Sequence, residues 1–387
     1  MKIKYGKQDV TPEDIAAVVH VLKSDLLTQG PVVPAFEKAA CDFTGAKNAV
    51  AVNSATSALH IACMALDLGP GDSLWTCPNT FVATSNCAVY CGASVDFVDM
   101  DPNSYNISIE QLKNKLVIAE KNNSLPKILA PVHLSGQSCE MQEIKHLSQQ
   151  YGFKIIEDAS HAIGGTYQES PVGNCKYSDI TVFSFHPVKI ITTGEGGMAL
   201  TNDFVLANKM RQYRSHGVTS NPEEMSERPT NEIWNYQQVC LGYNYRMTDI
   251  AASLGLNQIK RLTEIVRKRH EIADRYNQEL AALPLRRPWQ HPDTRSSYHL
   301  YIIRLDLDKI QKTQPQIHDE LINLGILVNL HYIPVYRQPF YEQIGFKAGY
   351  CPESESYHRE ALSIPMYPTL TIEEQDHVIE TLKKVII

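Results

Sequence analysis

Asp158 and Lys189 stand thirty-one residues apart, each just beyond an apolar run. Asp158 closes Lys154-Ile155-Ile156-Glu157 and leads into Ala159-Ser160-His161-Ala162. Lys189 ends Ser184-Phe185-His186-Pro187-Val188-Lys189 and precedes Ile190-Ile191-Thr192-Thr193-Gly194-Glu195-Gly196-Gly197. A lone loop lysine is ordinarily solvated. One set between a buried strand and a Gly-rich turn is different. Partial burial and a nearby cationic centre lower the amine's pKa, which imine formation requires, and glycine lets backbone approach a ligand closely. A strand-end aspartate can pair with a bound cation, although capping the following helix is its commoner use.

Two further segments have complementary chemistry. Asn53-Ser54-Ala55-Thr56-Ser57-Ala58-Leu59 follows an apolar run ending at Val52 and opens a helix. Helix-start amides with the Thr56 and Ser57 hydroxyls make an anion site, or an ordinary N-cap; no Gly-Lys-Ser/Thr follows, so this is not a P-loop. Ser184, five residues before Lys189, is placed to reach the same anion. Within Pro78-Asn79-Thr80-Phe81-Val82-Ala83-Thr84, Phe81 offers a ring that can stack on a planar ligand or simply fill core. An imine-forming lysine, a carboxylate, an anion site and an aromatic face are together what pyridoxal phosphate demands of a protein.

The elements that must position these residues are legible in the spacing. Between about Asn48 and Asn202, short apolar runs begin near Ala49, Ser73, Ser94, Lys127, Lys154, Thr181 and Met198. They read as strands buried on both faces. Amphipathic stretches such as Thr56–Leu66 and Met141–Gln150 separate them, giving βαβ units and a mostly parallel sheet. Ligands of such sheets bind beyond the carboxyl ends of the strands, where these candidates fall. Asp249 to Ala282 reads as one extended helix, with a seam at Leu283-Pro284 and Arg287-Pro288. Strands at His299–Leu305 and Ile326–Leu330, a helix at Gln316–Leu324 and a last helix from Ile372 make a smaller α+β unit. The expected division is 1–250, a large domain including the N-terminal segment, and 251–387, the linking helix and small domain. Val218–Asn235, polar with two prolines, reads as a surface loop.

Composition sets the outer limits. At 387 residues, with 43% hydrophobic and 20% charged side chains, the chain reads as soluble and globular. Its net charge of −7 and lack of a basic cluster argue against nucleic acid as a partner. The nine cysteines form no C-x-x-C pair, so no metal site is expected; Cys87 and Cys91 read as small core residues. Neither a signal peptide nor a membrane span is apparent, and a cytoplasmic location is expected.

The whole set resembles the DegT/DnrJ/EryC1/StrS family of sugar-nucleotide aminotransferases. The likeness runs nearly end to end, through Leu27-Thr28-Gln29-Gly30-Pro31, Asn53–Leu59, Glu157–Ala162 and Ser184–Gly197. It continues in Ser215-His216-Gly217, Gly242-Tyr243-Asn244-Tyr245-Arg246-Met247 and Ile364-Pro365-Met366-Tyr367-Pro368. The resemblance implies a pyridoxal-phosphate-dependent transferase of fold type I, aspartate aminotransferase-like. It makes Lys189 the imine lysine and Asp158 the pyridinium partner, Phe81 the stacking ring, and Ala55, Thr56 and Ser184 the phosphate contacts. Asn244 resembles an asparagine reaching the phosphate across a dimer interface, implying a homodimer with shared sites. His161 stands among the cofactor contacts where many members have glutamine. The D-x-S-H-A form resembles the branch making 4-amino sugars for pseudaminic acid, so that Tyr5, Asp25, Leu26, Leu27, Thr28, Asn329, Leu330, His331 and Tyr332 would line a sugar-nucleotide site. Members that dehydrate sugars carry histidine in place of the lysine.

The implied reaction moves the amino group of L-glutamate to C4 of a UDP-linked 4-keto-6-deoxy-N-acetyl-hexosamine, through the pyridoxamine form of the cofactor. Lys189 would be the general base. Amination of another keto sugar nucleotide, dTDP- or GDP-linked, at C3 or C4, or of an amino acid's keto form, remains open at this stage. So does a non-catalytic cofactor-binding regulator.

Overall fold

The apolar runs become strands where the sequence places them. In the computed structural model, which describes residues 2–227, 232 and 234–386, seven strands form one sheet. They are β1 (Asn48–Val52), β2 (Ser73–Thr76), β3 (Ser94–Phe97), β4 (Ile128–Ala130), β5 (Lys154–Asp158), β6 (Ile180–Ser184) and β7 (Gly197–Thr201). Their spatial order is β1-β7-β6-β5-β4-β2-β3. Alternate residues feed opposite faces, as strand geometry requires: Val50, Val52, Val182 and Ala199 enter one apolar cluster, and Ala49, Ala51, Phe183, Met198 and Leu200 another.

Five of the strands pair in parallel register, but β7 runs antiparallel to both β1 and β6. A parallel return needs a long crossover. The link from Ser184 to Gly197 contains no helix and turns straight back, and that returning loop carries Lys189. Whereas the parallel β5–β6 link holds only the short strands Thr166–Tyr167 and Ser170–Pro171, helices make most of the other crossovers, among them Ala55–Ala65, Ala83–Tyr90 and Met141–Tyr151. Ser54 caps the first, accepting the Ser57 N–H, and Gly152, with φ of 82°, ends the third.

The stretch read as one helix from Asp249 to Ala282 is two. Asp249–Gln258 gives way to a single 3-10 turn, Ile259–Arg261, before Leu262–Glu279. The break is held by tertiary bonds that periodicity does not encode. Buried Gln258 accepts from Thr192 N–H at 3.0 Å and donates to the Asp9 carbonyl at 2.8 Å, and Arg261 pairs with Asp9 and Asp14 at 2.9 Å each. The kink therefore braces the loop that bears Lys189.

The C-terminal strands Leu285–Arg286, Tyr301–Leu305 and Ala361–Ile364 form an antiparallel sheet, with Gln314–Asn323 and Ile372–Ile386 among its helices. The expected strand Ile326–Leu330 shortens to Ile326–Leu327, which pairs in parallel with Ile3–Lys4. Ile3 packs in the C-terminal cluster with Ile326, Tyr301 and Val378. The chain start, grouped with the large domain on sequence, is thus bonded to the C-terminal elements. Val218–Thr219, inside the expected surface loop, pairs with Gln237–Gln238; residues 228–231 and 233 of that loop lie outside the described residues. Among the described residues no helix is long and apolar enough to cross a membrane, and no group of His, Cys, Asp and Glu is arranged to hold a metal.

One buried cation ties the helix after the kink to the site. Arg269 donates to the carbonyls of Tyr298, His299 and Met366 at 3.0, 3.2 and 3.1 Å. Among the described residues no carboxylate pairs with it, and burial pulls its guanidinium down to about 9. Arg269→Ala would leave three buried carbonyls unpaired beside a void, and should destabilise the protein by about 3–5 kcal/mol in urea unfolding. A loss below about 1 kcal/mol would mean that desolvation of the cation offsets its hydrogen bonds.

Candidate active site

Beyond the carboxyl ends of β1, β5 and β6 lies a cavity of about 590 Å³, in the size range of small-molecule sites. Asp158, at the end of β5, and Lys189, on the β6–β7 return, both line it. Asp158 is fixed from both oxygens. Its Oδ2 accepts the Thr84 hydroxyl at 2.6 Å, its Oδ1 accepts the Ser160 N–H at 3.1 Å, and Thr84 is steadied by Thr80 at 2.8 Å. The Lys189 loop is pinned by the Thr192 hydroxyl, which donates to the Phe185 carbonyl at 2.8 Å and accepts the Gly194 N–H at 2.9 Å. Gly194 takes a φ of 82°, where a side chain would be strained. Burial lowers the Lys189 amine to about 8, against the opposing pull of Asp158. About a tenth of this amine is therefore unprotonated at pH 7, far more than for an ordinary lysine, and a nucleophile or general base must pass through that form.

Three buried histidines line the cavity with these groups, and each is held neutral. Burial first, then Lys189 and His331, depress His161; burial, His161, Lys189 and Arg269 depress His299; burial and Lys189 bring His331 to about 3. These three imidazoles thus line the site as neutral donors and acceptors beside Lys189 and Asp158.

Most of the residues singled out on sequence meet here. Tyr5, Ala55, Thr56, Phe81, Asp158, His161, Ser184, Lys189, Asn329, Leu330, His331 and Tyr332 all line the cavity. Phe81 is 59% exposed, a free ring at the cavity wall and not a core residue. Asp25, Leu26, Leu27, Thr28 and Asn244 do not line it. The segment 25–28 is exposed and tied elsewhere: Thr28 bridges Thr248, the Leu27 carbonyl accepts the Asp249 N–H at 3.0 Å, and the Asp249 carboxylate takes the N–H groups of Gly30, Val32 and Val33. Asn244 is exposed and spends its carbonyl on Asn53 at 3.3 Å. Thr84, Ser135 and His299 carry no role in the sequence reading. A strand-end acid calls for donors, and Thr84 stood in a segment already marked, but nothing local identifies Ser135 or His299.

The donor set can be tested against the cofactor that the sequence implies. The first amides of the 55–65 helix have no partner within the helix, and Ala55, Thr56 and Ser184 face one cavity, a set suited to a phosphate. Gly197 at the start of β7 lies so close that a Cβ there would meet the Ala55 nitrogen at 2.5 Å, so only glycine leaves this helix start undisturbed. With Asp158 for a protonated ring nitrogen, Phe81 for a ring face and Lys189 for an aldehyde, the residues fit pyridoxal phosphate.

Fold and site together define a pyridoxal-phosphate-dependent aminotransferase of fold type I. The chain belongs to the DegT/DnrJ/EryC1/StrS aminotransferase family, whose model matches residues 8–383. It is 37% identical over 389 residues to the spore coat polysaccharide biosynthesis protein SpsC of Bacillus subtilis, covering 99% of this chain and 97% of that one. It is 36% identical over 381 residues, 98% and 96% of the two chains, to the UDP-4-amino-4,6-dideoxy-N-acetyl-beta-L-altrosamine transaminase of Campylobacter jejuni. Its structure superposes on Helicobacter pylori PseC, an aminotransferase involved in the biosynthesis of pseudoaminic acid, with a TM-score of 0.90 at 30% identity, covering 100% and 99%. The cofactor is pyridoxal 5′-phosphate, and solved structures of this fold hold it in its PLP and PMP forms. The protein is therefore a sugar aminotransferase, taking an amino donor and a sugar nucleotide.

Proposed function

We propose that this enzyme transfers the amino group of L-glutamate to C4 of a UDP-linked 4-keto-6-deoxy-N-acetyl-hexosamine. The product would be UDP-4-amino-4,6-dideoxy-N-acetyl-β-L-altrosamine, a precursor for pseudaminic acid. The observation carrying this reading is the near full-length similarity to the Campylobacter jejuni transaminase. It is supported by Asn329, Leu330, His331 and Tyr332 lining the same cavity as Lys189.

Bound pyridoxal phosphate supplies an aldehyde that takes up nitrogen and a ring that accepts carbanion charge. In the proposed roles Ala55, Thr56 and Ser184 hold the phosphate, and Phe81 covers one ring face. Asp158, fixed by Thr84 and Ser160, keeps a proton on the ring nitrogen. Lys189, poised near neutrality, carries a proton from the donor's α-carbon and later delivers one to the sugar's C4. Tyr5 and residues 329–332 contact the sugar nucleotide.

The working unit would be a homodimer in which Asn244 and Asp25–Thr28 of one protomer complete the other's site. Uncovered apolar side chains beside them support this: Leu26 is 51% exposed, Leu27 45% and Leu241 72%. Nine free cysteines suit a reducing cytoplasm.

Similarity to the spore-coat protein SpsC favours a second reading, amination of a different keto sugar for a polysaccharide. The test offers glutamate with a panel of UDP-, dTDP- and GDP-linked keto sugars and identifies the aminated product. Turnover should be fastest with the UDP-4-keto-6-deoxy-N-acetyl-hexosamine. Preference for a dTDP-linked or 3-keto sugar would overturn the assignment.

A further inference from the structure

We propose that His161 is a positioning residue acting through Tyr332, and that the Tyr332 hydroxyl is a dedicated hydrogen-bond donor to an oxygen of a molecule bound in the cavity. The inference rests on the cofactor and substrate class given above.

A backbone N–H can only donate, and that of Ser135 points at His161 Nδ1 from 3.3 Å. Nδ1 must then be the unprotonated nitrogen, which places the imidazole proton on Nε2. An imidazolium would set two N–H groups against each other there. Nε2 lies 3.1 Å from the Tyr332 hydroxyl oxygen, so His161 donates and Tyr332 accepts. The hydrogen of the hydroxyl is left over. Among the described residues no protein acceptor takes it, and Tyr332 lines the cavity with Lys189 and Asp158.

The surroundings fix this arrangement from every side. Ser135 adopts a φ of 60°, a left-handed conformation that is costly for a residue other than glycine. Its turn is held by His299 N–H to the Ser135 carbonyl at 2.8 Å and Ser297 N–H to the Gly136 carbonyl at 3.1 Å. The His299 ring lies 4.4 Å from that of His161, centre to centre. The Tyr332 backbone is anchored separately, its N–H donating to Asn79 Oδ1 at 2.9 Å. Burial beside Asp158 raises the Tyr332 phenol well above its ordinary range, so it remains a donor at any working pH. With both ring nitrogens engaged, His161 has only its ring face to offer a cofactor. Its directional effect passes through Tyr332.

An accepting oxygen could belong to pyridoxal phosphate or to either substrate, and the test separates these sources. His161→Ala, His161→Gln, Tyr332→Phe and the double variant His161→Ala/Tyr332→Phe are compared by cofactor affinity and by KM and kcat for each substrate. Tyr332→Phe should weaken one of these by about five- to tenfold, the loss expected for one neutral hydrogen bond. Cofactor affinity falls if the oxygen is the cofactor's; one KM rises with kcat kept if it is that substrate's. His161→Ala should reproduce the same loss, and the double variant should be no worse than either single one. Glutamine can accept from Ser135 and donate to Tyr332, so His161→Gln should restore most of the effect. Additive losses, or constants unchanged by Tyr332→Phe, would overturn the proposal.

A readout independent of the cofactor is the ring-nitrogen NMR of histidine-labelled protein, with His161 assigned by its disappearance in His161→Gln. Nδ1 should resonate as the bare nitrogen and Nε2 as the protonated one; the reverse would overturn the proposal even if the cofactor reading stands. Failure of every variant and of the parent to bind pyridoxal phosphate would instead strike that earlier reading.

Discussion

Lys189→Met should abolish transamination and at the same time make the cofactor-free chain more stable. The catalytic loss follows from position. The amine lies on the β6–β7 return and lines the cavity with Asp158, and removing the proposed general base and covalent anchor should lower turnover by at least about a thousandfold. The gain in stability follows from the same burial. The amine titrates at about 8 in place of 10.5, so the fold disfavours its proton. Below pH 8 both folded and unfolded chains carry that proton, and the folded one bears the full penalty, about 3 kcal/mol. As pH rises from about 8 to 10.5 the unfolded chain holds the proton longer, the penalty fades, and above that range it is gone. The amine still opens onto a wet cavity, and Asp158 loses a nearby cation in the variant, so a gain of about 1–3 kcal/mol is expected at pH 7. Methionine keeps the length without the charge. Urea unfolding at pH 7 and near pH 11 should show an advantage for Lys189→Met at the first and little at the second. A variant no more stable than the parent at pH 7 would mean that the amine is already solvated, and the proposed tuning would fail with it. Such an exchange of stability for activity is what a buried functional charge entails.

How far this site could be read from sequence depends on whether a signal is local. Asp158 and Lys189 were legible because strands buried on both faces leave continuous apolar runs, and in a parallel sheet the ligand lies just past them. Ser54 and the helix after it were legible for the same reason. The antiparallel β7 was not, because its apolar run looks like any other, and the helix-free link before it has a counterpart between the parallel β5 and β6. The break at Ile259–Arg261 was hidden because the apolar spacing continues through it, while its cause, Gln258 reaching Asp9 and Thr192, lies far away in sequence. Thr84 bonds a residue seventy-four positions on. Ser135 and His299 matter through a turn that meets the far end of the chain, and no window of sequence contains both. Asp25–Thr28 and Asn244 show the opposite case: motifs carried them, yet one chain by itself leaves them outside its cavity.

The second large effect is expected at Asp158. Asn is nearly isosteric, and its amide oxygen can still accept from Thr84, which donates at 2.6 Å in the parent; only the longer bond from the Ser160 N–H, 3.1 Å in the parent, is lost, because an amide NH2 cannot accept it. The cost of that bond is about 1–3 kcal/mol, so the shape of the site should survive Asp158→Asn. What changes is charge. A carboxylate favours a protonated ring nitrogen in the bound cofactor, whereas an amide does not, so the ring's capacity to accept carbanion charge falls. Loss of one preorganised electrostatic partner of this kind commonly lowers turnover by about 10²–10³-fold, and here both halves of the reaction depend on it. The same substitution removes the only influence raising the Lys189 pKa, so that amine should titrate lower still. The rising limb of kcat against pH should move to lower pH in the variant even as its plateau collapses. A structural role alone would not give that combination: a loosened site would admit water, raise the lysine's pKa toward 10.5 and move the limb the other way. The pH profile of Asp158→Asn, measured with cofactor in excess, therefore decides between an electrostatic partner of the cofactor and a strand-end cap. A variant within about threefold of the parent at its plateau would assign Asp158 to the cap.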